Sequence, residues 1–336
     1  MKSISTEFKI PDSALEGLRE AAQRGTLIPF IGAGASRLAG GPSWPEFADK
    51  ALRQFVTSGK FSHAQLDQLR DQSPRVKLSI ALALQEEHKI EIAYEKIFHP
   101  ESKMKCPKGL QLYGSLSKLG KIFITTNYDE WLDEEIIVPE ISIGKSLDPK
   151  YASIANKRLV VHDINDLTPA ILNRSNTAIH LHGSMHAPNG MVMTTRDYVN
   201  HYANDRSSSD PDKENRVLTF LEYLFEHKTV IFIGYGLEEL EILEYVILKA
   251  KNKPVQHGNL AKHYLVQGFF SHQTELMKYL RQYYLQQCGI ELIPFWRDQN
   301  DWDQLLVVVD ELARAIPASD LMKAQELAEM EGMLDD

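Results

Sequence analysis

Four apolar runs in this chain stop abruptly on glycine or on small polar residues. Thr26 to Ile31 stops at Gly32, and Lys121 to Thr125 leads into Thr126-Asn127-Tyr128-Asp129. Ala178 to His182 ends on Gly183, and Thr229 to Ile233 ends on Gly234. Each has strand length, and runs that are nearly all apolar read as strands buried on both faces of a parallel sheet. His263 to Gln267 and Ile290 to Phe295 read as two further strands. Helical periodicity fills the intervals: Ser13 to Arg24, with Asp12 or Ser13 as N-cap ahead of Leu15 and Leu18, then Val217 to Phe225 and Leu237 to Ala250. This alternation predicts an α/β fold, a Rossmann-like doubly wound and mostly parallel sheet.

Two stretches break the alternation. Residues 45–119 contain no convincing strand, and helical periodicities such as Val76, Leu78, Ile80, Ala81 and Leu84 recur through them. That is far longer than a βαβ crossover needs, so an inserted helical subdomain is expected beside or over the cleft. Residues 185–215 are polar and end in Asn204-Asp-Arg-Ser-Ser-Ser-Asp-Pro-Asp-Lys-Glu-Asn215, the composition of a mobile loop. A lid, a partner contact and an ordinary solvated loop are all open readings. Near the end, Trp302 to Ile316 and Ser319 to Leu334 read as amphipathic helices separated by Pro317. The expected organisation is one domain over residues 1–316 and a C-terminal amphipathic helix over 317–336, serving packing or oligomer contacts.

Composition narrows the function classes. At 336 residues, 43% hydrophobic and 25% charged, the chain is long enough for a large core and ordinary for a globular protein. Its net charge of −9, from 37 basic and 46 acidic side chains, argues against broad electrostatic binding of nucleic acid by this chain alone. No apolar run approaches the roughly 18 residues that span a bilayer, and the first residues lack the apolar core of a secretion signal, so a cytoplasmic location is expected. The two cysteines, Cys106 and Cys288, support neither a disulfide framework nor a four-cysteine metal site, and no metal is expected.

The candidate chemistry lies where the strands end. Gly32-Ala33-Gly34-Ala35-Ser36 joins a strand to a helix start, the arrangement that lets backbone approach a diphosphate and turns helix N–H groups toward it. The dinucleotide fingerprint wants a third glycine where Arg37 stands, so this turn alone is a weak signal. Thr126-Asn127-Tyr128-Asp129 arrives at the same sheet edge, where ligands of open α/β sheets bind. Asn127 offers a neutral amide for a hydroxyl or a water, and Asp129 an acceptor for an amide N–H₂. His182 is a proton acceptor or a core histidine satisfied by a carbonyl. Period-two alternation puts His180 on the same strand face as His182, and His180 and His186 are read as bystanders. Ser36 and Thr125 either contact ligand or close turns, Tyr235 either contacts ligand or packs, and Arg37 either pairs with a diphosphate or sits on the surface.

Taken in order, GAGAS, TTNYD, LHG and IGYG resemble the sirtuin (SIR2) superfamily. More narrowly they are similar to the prokaryotic SIR2-like NAD-hydrolysing effectors of anti-phage defence, over about residues 20–315. The resemblance implies NAD⁺ bound by Gly32, Ala33, Gly34, Ala35, Ser36, Thr125, Thr126, Gly183, Gly234 and Tyr235. It implies catalytic roles for Asn127 and His182, with Asp129 beside them. Where sirtuins read Gln-Asn-Ile-Asp, this chain has Thr126-Asn127-Tyr128-Asp129, keeping the polar pair. Deacylating sirtuins carry a four-cysteine zinc ribbon that two cysteines cannot form, which leaves water as the expected acceptor. The implied activity is an NAD⁺ glycohydrolase that releases nicotinamide and ADP-ribose and depletes NAD⁺, working as a homo-oligomer or with a HerA-type ATPase. An NAD-dependent protein-lysine deacylase and a non-catalytic NAD or ADP-ribose sensor remain as alternatives. A dehydrogenase is disfavoured, because no acid follows the glycine turn at the distance that would hold the adenine ribose.

Overall fold

The computed structural model describes residues 8–99, 102–139, 148–202, 215–236 and 262–316. Seven strands form one parallel sheet in the order β5-β6-β2-β1-β7-β8-β9. They are β1 (Leu27–Ile31), β2 (Ile122–Thr125), β5 (Leu159–Val161), β6 (Thr177–His180), β7 (Thr229–Ile233), β8 (His263–Phe269) and β9 (Ile290–Trp296). The α/β class and the doubly wound sheet expected from the apolar runs are what the chain adopts. Two short strands, β3 (Glu134–Ile137) and β4 (Ser153–Lys157), pair antiparallel outside that sheet.

Alternate residues of the central strands feed two separate cores. Leu27 and Ile31 of β1 face a core with α1 (Asp12–Gln23), α7 (Pro107–Leu119) and α11 (Gln304–Ala315), while Ile28 and Phe30 face α9 (Arg216–His227). Every residue of β1 is buried, as a central parallel strand requires. Pro29 lacks an N–H for the ladder, yet it lies in this strand opposite Ile231 of β7. Pairing with β2 begins only past it, at Phe30 and Ile124.

The stretch between β1 and β2 divides in two. Helices α3 (Trp44–Thr57), α4 (His63–Gln68), α5 (Pro74–His88) and α6 (Tyr94–Phe98) build a third core around Phe47, Leu52, Phe55 and Leu78, whereas α7 packs against the sheet. Serines start three of these helices: Ser43, Ser62 and Ser73 accept from the third residue onward, and Ser43–Glu46 closes a reciprocal capping box. The third core also takes in Tyr128, Met185, Met191 and Met193. The helical unit is thereby fastened over the loops that follow β2 and β6.

The polar stretch expected as a loop over 185–215 contains a helix, α8 (Thr195–Tyr202). Residues 203–214 of that stretch, the helix read over Leu237–Ala250 and the C-terminal helix over 317–336 lie outside the described residues. Among the described residues no helix is long and apolar enough to cross a membrane.

Candidate functional site

Strands β1, β2, β6 and β7 are neighbours, and their C-terminal ends deliver the glycine turn, the asparagine loop, the histidine turn and the second glycine turn to one edge. There they meet the helical unit around a cavity of about 510 Å³. Ala33, Ser36, Thr126, Asn127, Asp129, His182 and Tyr235 line it, joined by Pro42 to Pro45, Pro74, Arg75, Tyr198 and Tyr202. This volume falls in the range of small-molecule sites.

The glycine turns hold each other together. Gly32 N–H donates to the Ile233 carbonyl at 2.9 Å, and Gly34 N–H donates to the Gly234 carbonyl at 2.8 Å. Gly234 has φ +76°, and a Cβ there would stand 2.7 Å from the Ala35 nitrogen. Glycine at these positions therefore permits backbone to meet backbone. Ala35 N–H donates to the Gly32 carbonyl at 3.1 Å, so three N–H groups of the turn have protein acceptors. Ala33 and Ser36 are the residues of this turn on the cavity wall, with Gly32, Gly34, Ala35 and Gly234 behind it.

Asn127 is fixed on three sides. Its N–H donates to Thr125 Oγ1 at 2.9 Å, and its Nδ2 donates to the Gly32 carbonyl at 3.0 Å. Its carbonyl accepts from His180 Nδ1 at 3.0 Å. These bonds leave Oδ1 over, and the buried Tyr113 hydroxyl lies against the Ser36 and Asn127 side chains. Thr125 itself donates to the Ile31 carbonyl at 2.8 Å, so its hydroxyl braces β1 against the asparagine loop behind the cavity wall.

Asp129 accepts a short hydrogen bond from Ser36 Oγ and another from the Trp131 N–H at 3.2 Å. Ser36 thus ties the glycine turn to the carboxylate. Thr126 and Tyr235 hydroxyls are 2.8 Å apart, and the Tyr235 ring packs edge-on to Phe30 and Phe232. Tyr235 is both packing and cavity wall.

Strand β6 ends at His180, so the alternation read through His182 stops two residues early. His180 is fully buried against Asp133 and Asn127, and His182 lies past the strand on the cavity wall. Gly183, at φ +81°, makes the turn, and a Cβ there would stand 2.5 Å from the Gly190 carbonyl oxygen. His182 Nε2 is 2.7 Å from the Tyr202 hydroxyl. Burial, with His201 and Arg75 nearby, pushes the His182 imidazole down to about 3. Burial likewise raises the Tyr202 phenol well above its ordinary value, so the tyrosine keeps its proton and donates to a neutral imidazole.

Several wall residues escaped the reading of the sequence. Tyr198 and Tyr202 are four apart on α8, one helical face, but they sit in a stretch whose composition pointed to a loop. Arg75, in the first turn of α5, rests its guanidinium 4.2 Å over the Tyr198 ring. No carboxylate of the described residues pairs with it. The S-x-x-E capping box at Ser43 was the legible signal for the loop through Pro42 and Trp44.

Fold and site together define an α/β protein with a cavity between the sheet edge and the helical unit. A family model described as SIR2-like domain matches residues 121–293, half of the chain, and the chain belongs to that family. The match takes in Asn127, Asp129, His182 and Gly234, and begins after the Gly32–Ser36 turn. No curated protein matches the chain. SIR2-like domains are typically NAD-dependent enzymes, and NAD-related chemistry follows for this one. Cys106 and Cys288 are not joined in a disulfide, and no group of three or more metal-ligating side chains is gathered among the described residues.

Proposed function

We propose that this protein is an NAD⁺ glycohydrolase, cleaving the nicotinamide–ribose bond with water to give nicotinamide, ADP-ribose and a proton. The observation that carries the reading is the convergence of Asn127, Asp129 and His182 on one cavity walled by the glycine turn. Loss of nicotinamide passes through an oxocarbenium-like state, so catalysis needs an oriented leaving amide, held ribose hydroxyls and a placed water. Asn127 Oδ1 is an acceptor with its three neighbouring polar atoms already bonded, suited to fix a ribose hydroxyl or the attacking water. The Asp129 carboxylate has lone pairs beyond those used by Ser36 and Trp131 and suits the carboxamide N–H₂. It also favours the positive charge developing on the ribose. His182, neutral, can accept a hydrogen bond from a ribose hydroxyl once Tyr202 releases its Nε2.

Water rather than acyl-lysine is the acceptor in this reading because two cysteines cannot frame the peptide cleft of the deacylating sirtuins. One observation favours a second reading, a nucleotide sensor that leaves NAD⁺ intact: the Nε2 of His182 is engaged by Tyr202. The likeness of the motifs to anti-phage effectors further suggests a trigger-dependent NAD⁺-depleting role, as a homo-oligomer or with a HerA-type ATPase. Chromatography of NAD⁺ incubated with the purified protein, alone and with the product of a neighbouring gene, tests the reading. Stoichiometric nicotinamide and ADP-ribose support it, whereas bound but intact NAD⁺ supports the sensor.

A further inference from the structure

We propose that His180 is a positioning residue: held between the Asp133 carboxylate and the Asn127 carbonyl with both ring nitrogens donating, it sets Asn127 for NAD⁺ cleavage. The inference rests on the glycohydrolase reading and adds a residue to it.

Strands β2 and β6 pair in parallel with Thr125 opposite His180, which places the imidazole beside the first residues of the asparagine loop. Its Nδ1 lies 3.0 Å from the Asn127 carbonyl oxygen and its Nε2 lies 2.8 Å from Asp133 Oδ1. A carbonyl oxygen only accepts and a carboxylate only accepts, so each ring nitrogen must carry a proton for both bonds to exist. The ring is 1% exposed, and water does not compete for either bond. Burial alone disfavours the charged imidazole, but the hydrogen bond and charge of Asp133, the Asn127 carbonyl and the charge of Asp129 together raise its pKa above the ordinary histidine value. Asp133 and Asp129 are the charged groups that face the ring among the described residues.

The anchor on the far side is equally fixed. The Asp133 carbonyl accepts from the Arg158 N–H at 2.8 Å, and Arg158 Nη1 donates to the Leu132 carbonyl at 2.9 Å. Bonds therefore run from Arg158 through the Asp133 segment and His180 to Asn127. A buried ion pair adds little net stability compared with apolar packing of the same volume. What this pair supplies is a fixed donor for the Asn127 carbonyl. With Thr125 and Gly32 holding the other two polar atoms, Asn127 Oδ1 has one position.

The test uses the full chain in three forms, wild type, Asp133→Asn and His180→Phe, with melting temperature, steady-state nicotinamide release and ¹⁵N signals of the histidine rings measured on each. Wild type is expected to have both His180 nitrogens protonated at pH 7. Folded His180→Phe should lose kcat by about 10²-fold, the effect of misplacing a catalytic group, with the NAD⁺ KM changed less than about threefold. In Asp133→Asn the alkaline loss of kcat should move down by at least about one pH unit, a shift that a merely structural role would not produce. Folded His180→Phe turning over at the wild-type kcat, or a singly protonated His180 in protein that cleaves NAD⁺, overturns the inference alone. Wild-type protein that releases no nicotinamide, either alone or with the product of a neighbouring gene, overturns the reading beneath it, whatever the ring signals.

Discussion

His182 Nε2 and the Tyr202 hydroxyl stand 2.7 Å apart, so this ring nitrogen is held by a tyrosine from α8. The same face of α8 presents Tyr198, on which Arg75 of the helical unit rests. A bond to a neutral partner contributes about 1 kcal/mol, roughly fivefold in an equilibrium. Tyr202→Phe should therefore raise the rate of nicotinamide release by about that factor if the bond restrains turnover. A rate unchanged or lowered, in protein of wild-type melting temperature, shows that Tyr202 does not restrain His182.

Ser36 joins the glycine turn to Asp129. Removing a donor to a buried carboxylate costs about 1–3 kcal/mol. Ser36→Ala should therefore lower kcat/KM for NAD⁺ by about tenfold or more through loss of Asp129 placement, and Asp129→Asn should affect Ser36→Ala less than wild type. A double-variant cycle with additive effects would show that the two residues act separately.

Gly234→Ala meets two obstacles, a left-handed backbone at φ +76° and the Ala35 nitrogen at 2.7 Å. The backbone has no rotamer with which to yield, so a loss of about 2 kcal/mol or more in unfolding free energy is expected. Urea denaturation measures it. A midpoint equal to wild type would mean that the two glycine turns do not pack as described.

Stability should fall in mild acid. His201 and His263 are buried, and burial holds their imidazoles neutral, at about 4 and about 3. The unfolded chain binds their protons below about pH 6.5 while the folded chain does not, so each takes away up to about 1.4 kcal/mol per pH unit as pH falls from there toward its folded value. His180 works with the opposite sign: its raised value contributes stability that is complete below about pH 6.5 and is lost as pH rises through the folded value. Thermal melts should therefore show a falling melting temperature below pH 6.5, less steep in His201→Phe. A flat profile between pH 4 and 6.5 contradicts the burial of neutral histidines.

The main strands were legible because parallel strands covered on both faces leave nearly unbroken apolar runs, as Leu27–Ile31 and Thr229–Ile233 do. β5 escaped because three residues, stopping at Val161 before His162, leave too short a run, and β3 because Glu134 and Glu135 interrupt its pattern. The polar residues of the site could be named because they follow directly on strand ends. Their partners could not. Arg75 reaches the cavity from a helical unit whose docking depends on Tyr128 and three methionines distant in sequence, and His180 reads as a bystander because it lies deeper in the strand, with nothing local to point to Asp133, 47 residues away. The glycines were read as room for phosphate, and the structure uses Gly34 and Gly234 as room for each other.

Product analysis on wild type and Asn127→Ala bears most directly on the proposed cleavage, because Asn127 Oδ1 is the acceptor on which that mechanism turns. Wild-type protein, with its activating partner where one is required, should convert NAD⁺ to equal amounts of nicotinamide and ADP-ribose. Folded Asn127→Ala should lose at least about 10²-fold of that rate. Asn127→Ala that hydrolyses NAD⁺ as fast as wild type would contradict the account.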